Sequence, residues 1–108
     1  LVVVFQPHLF TRTRDQAEGF GAALLAADAV YVLPVYPSRE APIPGVTSRL
    51  VSDAARSRGH RNVADLDDRA SAVARLEAEL KDGDLLVTMG AGDVNRVGEE
   101  YLAAGGVA

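Results

Sequence analysis

The segment Gln6-Pro7-His8-Leu9-Phe10-Thr11-Arg12-Thr13-Arg14 holds two arginines, one histidine and no acid, in a chain whose formal net charge is −4. A guanidinium presents a planar fork of donors that fits a carboxylate or a phosphate. A histidine can take or release a proton near neutral pH, so His8 could orient a substrate or face developing charge. Arg12 and Arg14 stand near the predicted start of a helix, where the helix dipole disfavours cations by about 0.3–1 kcal/mol. Residues set against a local rule are candidates for a site. Beside free helix N–H groups they would suit an anion.

Other segments carry weaker signals. Gly90-Ala91-Gly92-Asp93 resembles a phosphate-binding turn, but Asn95 stands where a dinucleotide fingerprint needs a third glycine. Two glycines for a tight turn and Asp93 as a helix cap explain it as well. Tyr36-Pro37-Ser38-Arg39-Glu40 sets opposite charges side by side, able to pair with each other, meet a neighbouring domain or line a cleft. Asp65, Asp67 and Asp68 read as a turn and a helix cap rather than a metal cluster, and His60 as a solvated side chain. There is no phosphate-binding GxxxxGK[ST] sequence. The absence of cysteine removes thiol nucleophiles and cysteine metal sites.

The elements that must position these groups follow from periodicity. Leu1 to Phe5, Ala29 to Val35, Arg61 to Ala64 and Asp84 to Met89 are strand-length apolar runs. Their continuity points to strands covered on both faces, as in a parallel sheet. Between them lie helix-period segments at Asp15 to Ala27, Thr47 to Arg58, Asp68 to Leu80 and Asp93 to Ala104. Thr13 and Gln16 match a capping box for the first, and Gly59 a stop for the second. The alternation predicts an α/β fold: a Rossmann-like, open, mostly parallel sheet with helices on both faces and right-handed crossovers. Ligands of such sheets bind beyond the carboxyl ends of the strands. Four loops should gather there: Gln6 to Arg14, Tyr36 to Gly45, Asp65 to Asp68, and Gly90 to Asn95.

With 108 residues, 11 basic and 15 acidic side chains and 48% hydrophobic residues, the chain is sized for one domain over residues 1–108. Its acidic balance argues against nucleic acid as the main partner. No apolar run reaches the roughly 20 residues of a membrane span, and the charged-then-apolar order of a leader is missing. The opening Leu1-Val2-Val3-Val4-Phe5 already reads as a buried strand, so the chain is expected to be a piece of a longer protein.

Phe5-Gln6-Pro7-His8-Leu9-Phe10-Thr11-Arg12-Thr13 resembles the signature that opens the C-terminal domain of the L-alanine-adding Mur ligases of peptidoglycan synthesis. The likeness continues through Phe20, Ala22 to Asp28, Val35-Tyr36, Arg39-Glu40, Pro42, Gly45-Val46, Gly83-Asp84 and Gly90 to Asp93. It spans nearly the whole chain, which it implies is the last of three domains, the N-terminal and central ATP-binding ones lying outside. The implied reaction joins L-alanine to UDP-N-acetylmuramic acid through an acyl phosphate, in the bacterial cytoplasm. ATP and Mg2+ would be bound mainly by the central domain. The C-terminal domain would close over the ATP site and supply part of the alanine pocket, so the isolated piece should be inactive.

By position, Arg12 matches the arginine that binds the alanine carboxylate and His8 the motif histidine near the incoming amino acid. Arg14, Arg39, Glu40 and Asp93 are accessory candidates, and no residue is assigned to metal. Leu9 departs from a second arginine found in many members. The alternatives are another Mur or folylpolyglutamate-type ligase domain, and a non-catalytic nucleotide- or anion-binding module.

Overall fold

The computed structural model describes residues 1–36, 40–90 and 94–103, the side chain of Asn95 excepted. Four strands, β1 (Val2–Gln6), β2 (Ala29–Val32), β3 (Val63–Asp65) and β4 (Leu86–Gly90), alternate with helices α1 (Phe10–Leu24), α2 (Arg49–Ser57), α3 (Arg69–Glu79) and α4 (Asn95–Ala103). All strand pairs are parallel, in the order β3-β2-β1-β4. This is the open α/β sheet expected from the continuous apolar runs.

Alternation along the strands divides two cores. Val3, Phe5, Val30 and Val32 pack with Ala17, Leu24 and Val51 of α1 and α2 on one face. Val4, Tyr31 and Leu33 pack with Ala72, Leu76, Val97 and Tyr101 of α3 and α4 on the other. Val4, Val30, Val32, Val51 and Val97 are fully buried, each worth about 1.5–3 kcal/mol of transfer free energy. The first two crossovers step one way along the sheet and the third returns past β1, which is why the helix pairs lie on opposite faces. The strand order therefore reverses between β1 and β4, leaving a crevice beyond their carboxyl ends.

Close approaches fix this geometry. A Cβ placed on Gly21 would lie 2.6 Å from Ala54 Cβ and 2.7 Å from Ala55 N, so the glycine lets α1 and α2 pack backbone to backbone. Gly90 has φ +116°, and a Cβ there would lie 2.0 Å from the Gln6 carbonyl oxygen, at the reversal point itself.

Several boundaries differ from those the sequence predicts. Helix α1 begins at Phe10, five residues before Asp15, and the Thr13/Gln16 capping box does not form. Thr13 is instead inside the helix, fully buried, its hydroxyl donating to the Leu9 carbonyl at 2.7 Å. Strand β2 ends at Val32 because Pro34 has no N–H for a ladder, although Leu33 N–H still donates to Phe5 O at 2.9 Å. Strand β3 shifts to Val63–Asp65, in register with Val30–Val32.

The expected helix ends at Gly59 and Asp68 do occur. His60 N–H donates to Ala55 O at 3.1 Å and Gly59 N–H to Arg56 O at 2.9 Å, the paired bonds of a Schellman motif. Asp68 caps α3 by accepting from Ser71 N–H at 2.8 Å. His60 is not a free solvated group. Its Nδ1 accepts from Asn62 N–H at 3.1 Å, so Nε2 carries the proton and donates to Ala27 O at 2.8 Å. No helix among the described residues is long and apolar enough to cross a membrane.

Candidate functional site

The site expected beyond the strand ends is built on the β1–α1 connection. Pro7 is fully buried at the end of β1. His8 forms an isolated parallel bridge with Tyr36, and their rings stand 6.1 Å apart. Two backbone bonds hold the pair: Tyr36 N–H donates to Pro7 O at 2.8 Å and Leu9 N–H to Tyr36 O at 2.9 Å. Gln6 adds a side-chain bond from Nε2 to Pro34 O at 3.2 Å. The β1–α1 and β2–α2 connections are thus stitched together over residues 6–9 and 34–36.

Leu9, the N-terminal flanking residue of α1, has φ +66° and ψ 139°. That conformation is nearly reserved for glycine and costs about 1–3 kcal/mol in other residues. It is held from both sides, since Leu9 N–H is bonded to Tyr36 and its carbonyl accepts from Thr13 N–H and the Thr13 hydroxyl. An apolar residue there offers no cap, and the helix must find one elsewhere. It finds it 29 residues away. Glu40 accepts from Thr11 N–H at 3.0 Å and from the Thr11 hydroxyl at 2.7 Å. The Thr11 hydroxyl, with the Thr11 and Phe10 N–H groups and the Arg14 charge, holds the Glu40 carboxyl below its usual range.

This capping corrects one expectation. Thr11 N–H in the first turn of α1 is not free for an external anion, because Glu40 occupies it. Arg12 lies in that first turn, exposed, with no hydrogen-bond or ion-pair partner among the described residues. Arg14 is exposed as well, but its Nε bonds Asp15 Oδ1 at 2.9 Å, which raises the guanidinium further above its ordinary value. Arg39 and Asp93 lie outside the described residues.

The loops gather as expected where they can be followed. A groove of about 180 Å³ at this end is lined by Gln6, Leu33, Pro34, Tyr36, Asp67, Asp68 and Arg69. Arg69 reaches Glu100 of α4 at 2.9 Å. Asp65 turns away, its Oδ2 taken by Arg56 of α2 at 2.9 Å.

The chain's relationships rest on nearly its whole length. Residues 1–92 match the family described as Mur ligase, glutamate ligase domain. The chain belongs to the Mur ligase family. It is 52% identical over 100 residues to a UDP-N-acetylmuramate–L-alanine ligase of Cutibacterium acnes, covering 91% of this chain and 21% of that protein. It is 50% identical over 102 residues to the enzyme of the same name from Mycolicibacterium vanbaalenii, covering 94% and 20%. A third of that name, from Desulfatibacillum aliphaticivorans, is 44% identical over 102 residues, covering 94% and 22%. The chain thus spans about a fifth of the length of these Mur ligases. Sequence reasoning placed Glu40 only among accessory candidates and did not foresee the strain at Leu9. No local pattern marks either, since both depend on contacts across the two loops.

Proposed function

We propose that this chain is the C-terminal domain of an ATP-dependent ligase that adds L-alanine to UDP-N-acetylmuramic acid. Within that protein it would close over the ATP site and supply part of the alanine pocket. The names of its relatives and the family match support the reaction class. The observation that carries the assignment of the pocket is Arg12, a guanidinium without a partner among the described residues, in the first turn of α1 beside Thr11, which Glu40 engages, and Arg14, which Asp15 engages.

No group of three metal-ligating side chains occurs among the described residues, and the sequence lacks a GxxxxGK[ST] loop. In this reading, activation of the muramic acid carboxyl by ATP and Mg2+ would belong mainly to other parts of the protein. What this domain contributes is position. Arg12 would bind the alanine carboxylate through charge-assisted hydrogen bonds worth about 1.5–3 kcal/mol. His8, standing against Tyr36, would face the amine and orient or deprotonate it. Closure would bring that amine onto the activated carboxyl and exclude water, which would otherwise hydrolyse it.

The test is Arg12→Ala in the full-length protein. The alanine KM should rise roughly ten- to a hundredfold with ATP use little changed. An unchanged alanine KM and kcat would remove Arg12 from the pocket. His8→Ala should lower kcat/KM for alanine while ATP binding persists. The 108-residue chain alone should release no phosphate from ATP with both other substrates present.

A further inference from the structure

Arg12 follows Thr11 directly, so its direction depends on how the first turn of α1 is held. That turn has no local cap, because Leu9 is apolar and accepts nothing on its side chain. Among the described residues, the only side chain bonded to Thr11 comes from Glu40, which uses Oε1 for the amide and Oε2 for the hydroxyl. Glu40 lies on the same connection as Pro34 and Tyr36, whose bonds fix the other end of the loop at Gln6, Pro7 and Leu9. The segment between His8 and Arg12 is therefore clamped at both ends by one connecting loop.

The chemistry of the clamp has a second effect. A carboxylate within reach of the Arg14 charge would ordinarily pair with it. Here both oxygens are taken by Thr11, Arg14 is paired with Asp15, and Arg12 is left open. Glu40 thereby stabilises the helix end without taking up the guanidinium.

We propose that Glu40 is a positioning residue for the amino-acid pocket: by clamping Thr11 it sets the first turn of α1 in the orientation that presents Arg12 to the carboxylate of the incoming amino acid. This rests on the assignment of Arg12 given above. Glu40 acts through Thr11 and touches no substrate.

The experiment compares steady-state constants of the full-length ligase for alanine, ATP and the UDP-sugar. Glu40→Ala should raise the alanine KM roughly three- to tenfold, the size of one lost hydrogen-bonding contact, with the other two KM values within about twofold. Glu40→Gln, which keeps the shape and one carbonyl acceptor, should restore most of the difference. Thr11→Val should repeat the effect in weaker form and Thr11→Ser should not; this pair serves if Glu40→Ala fails to fold. In an Arg12→Ala background, Glu40→Ala should add little to the alanine KM, because the group it positions is gone. An alanine KM within twofold of wild type in Glu40→Ala and Thr11→Val overturns the proposal. So does an equal rise in all three KM values, which would mark a purely structural role. If Arg12→Ala is silent, the pocket assignment fails; if Arg12→Ala responds and the Glu40 and Thr11 variants do not, only the role of Glu40 fails.

Discussion

The two ends of the parallel sheet differ in how their polar groups are used. At the amino ends of the strands lies the larger hollow, about 550 Å³, bordered by Tyr31, Arg61, Arg75, Glu79 and Lys81 among others. Its central groups satisfy one another. The Tyr31 hydroxyl donates to Glu79, Arg75 reaches Glu79 at 3.1 Å, and the Arg75 guanidinium lies 5.4 Å from the Tyr31 ring centre. At the carboxyl ends the groove is about a third of that size, yet there the backbone is strained at Leu9 and Arg12 is left unpaired. Volume alone would choose the amino end. Arg61 and Lys81 at the amino end also have side chains with no partner among the described residues, so what separates the carboxyl end is the strained, stitched loop and the place where the topology of an open sheet puts ligands.

The reversal point between β1 and β4 is the most sensitive position. Gly90→Ala should have the largest effect, lowering stability by more than about 3 kcal/mol, because the new methyl meets the Gln6 carbonyl and φ is positive. Denaturant unfolding of the full-length protein followed by circular dichroism measures this, and a loss under 1 kcal/mol would mean that β1 and β4 are not held this close. Next come the charges. Arg75→Ala and Lys81→Ala, at the amino end, should leave the alanine KM within about twofold while Arg12→Ala raises it at least tenfold. Equal effects at both ends would dissolve the contrast.

A smaller effect concerns the pair inside the larger hollow. Burial, then the bond to Glu79, push the Tyr31 hydroxyl up to about 12. Its folded-state value is above the unfolded one near 10, so this contribution is whole below about pH 10 and is lost as pH rises toward 12. Tyr31→Phe should cost about 1–2 kcal/mol at neutral pH, remove one late-ionising tyrosine from an absorbance titration, and leave alanine kinetics unchanged. The smallest effect lies at Glu40, whose carboxyl is held below its usual range by Thr11. Its contribution is present above the unfolded carboxyl value near 4.3 and is lost as pH falls through the lower folded one. Glu40→Gln should therefore flatten the acid side of the stability profile slightly, as thermal unfolding between pH 3 and 7 would show.

How far these features can be read from the chain depends on the range of the interactions behind them. The strands were visible because double-sided burial leaves unbroken apolar runs such as Val2-Val3-Val4. The ends of α2 and α3 were visible because Gly59 and Asp68 act on residues within five positions of themselves. The start of α1 was not, since its cap comes from Glu40 and the local pair Thr13 and Gln16 offered a plausible decoy. The positive loop marked a candidate site through composition alone, but which arginine stays open could not be told. Arg14 is occupied by its neighbour Asp15 and Arg12 is not, a distinction made by side-chain direction in the folded helix. The strand order likewise depends on long-range pairing that periodicity does not encode.

The connection between Val32 and Arg49 lacks regular structure in its described part and would ordinarily be the place where a protein gains or loses residues freely. Here two anchors limit that freedom. Tyr36 meets Pro7 and Leu9 while Glu40 meets Thr11, so the connection is tied to the β1–α1 loop at two of its residues. A graft or randomised loop that loses either anchor should release one end of the segment from His8 to Arg12.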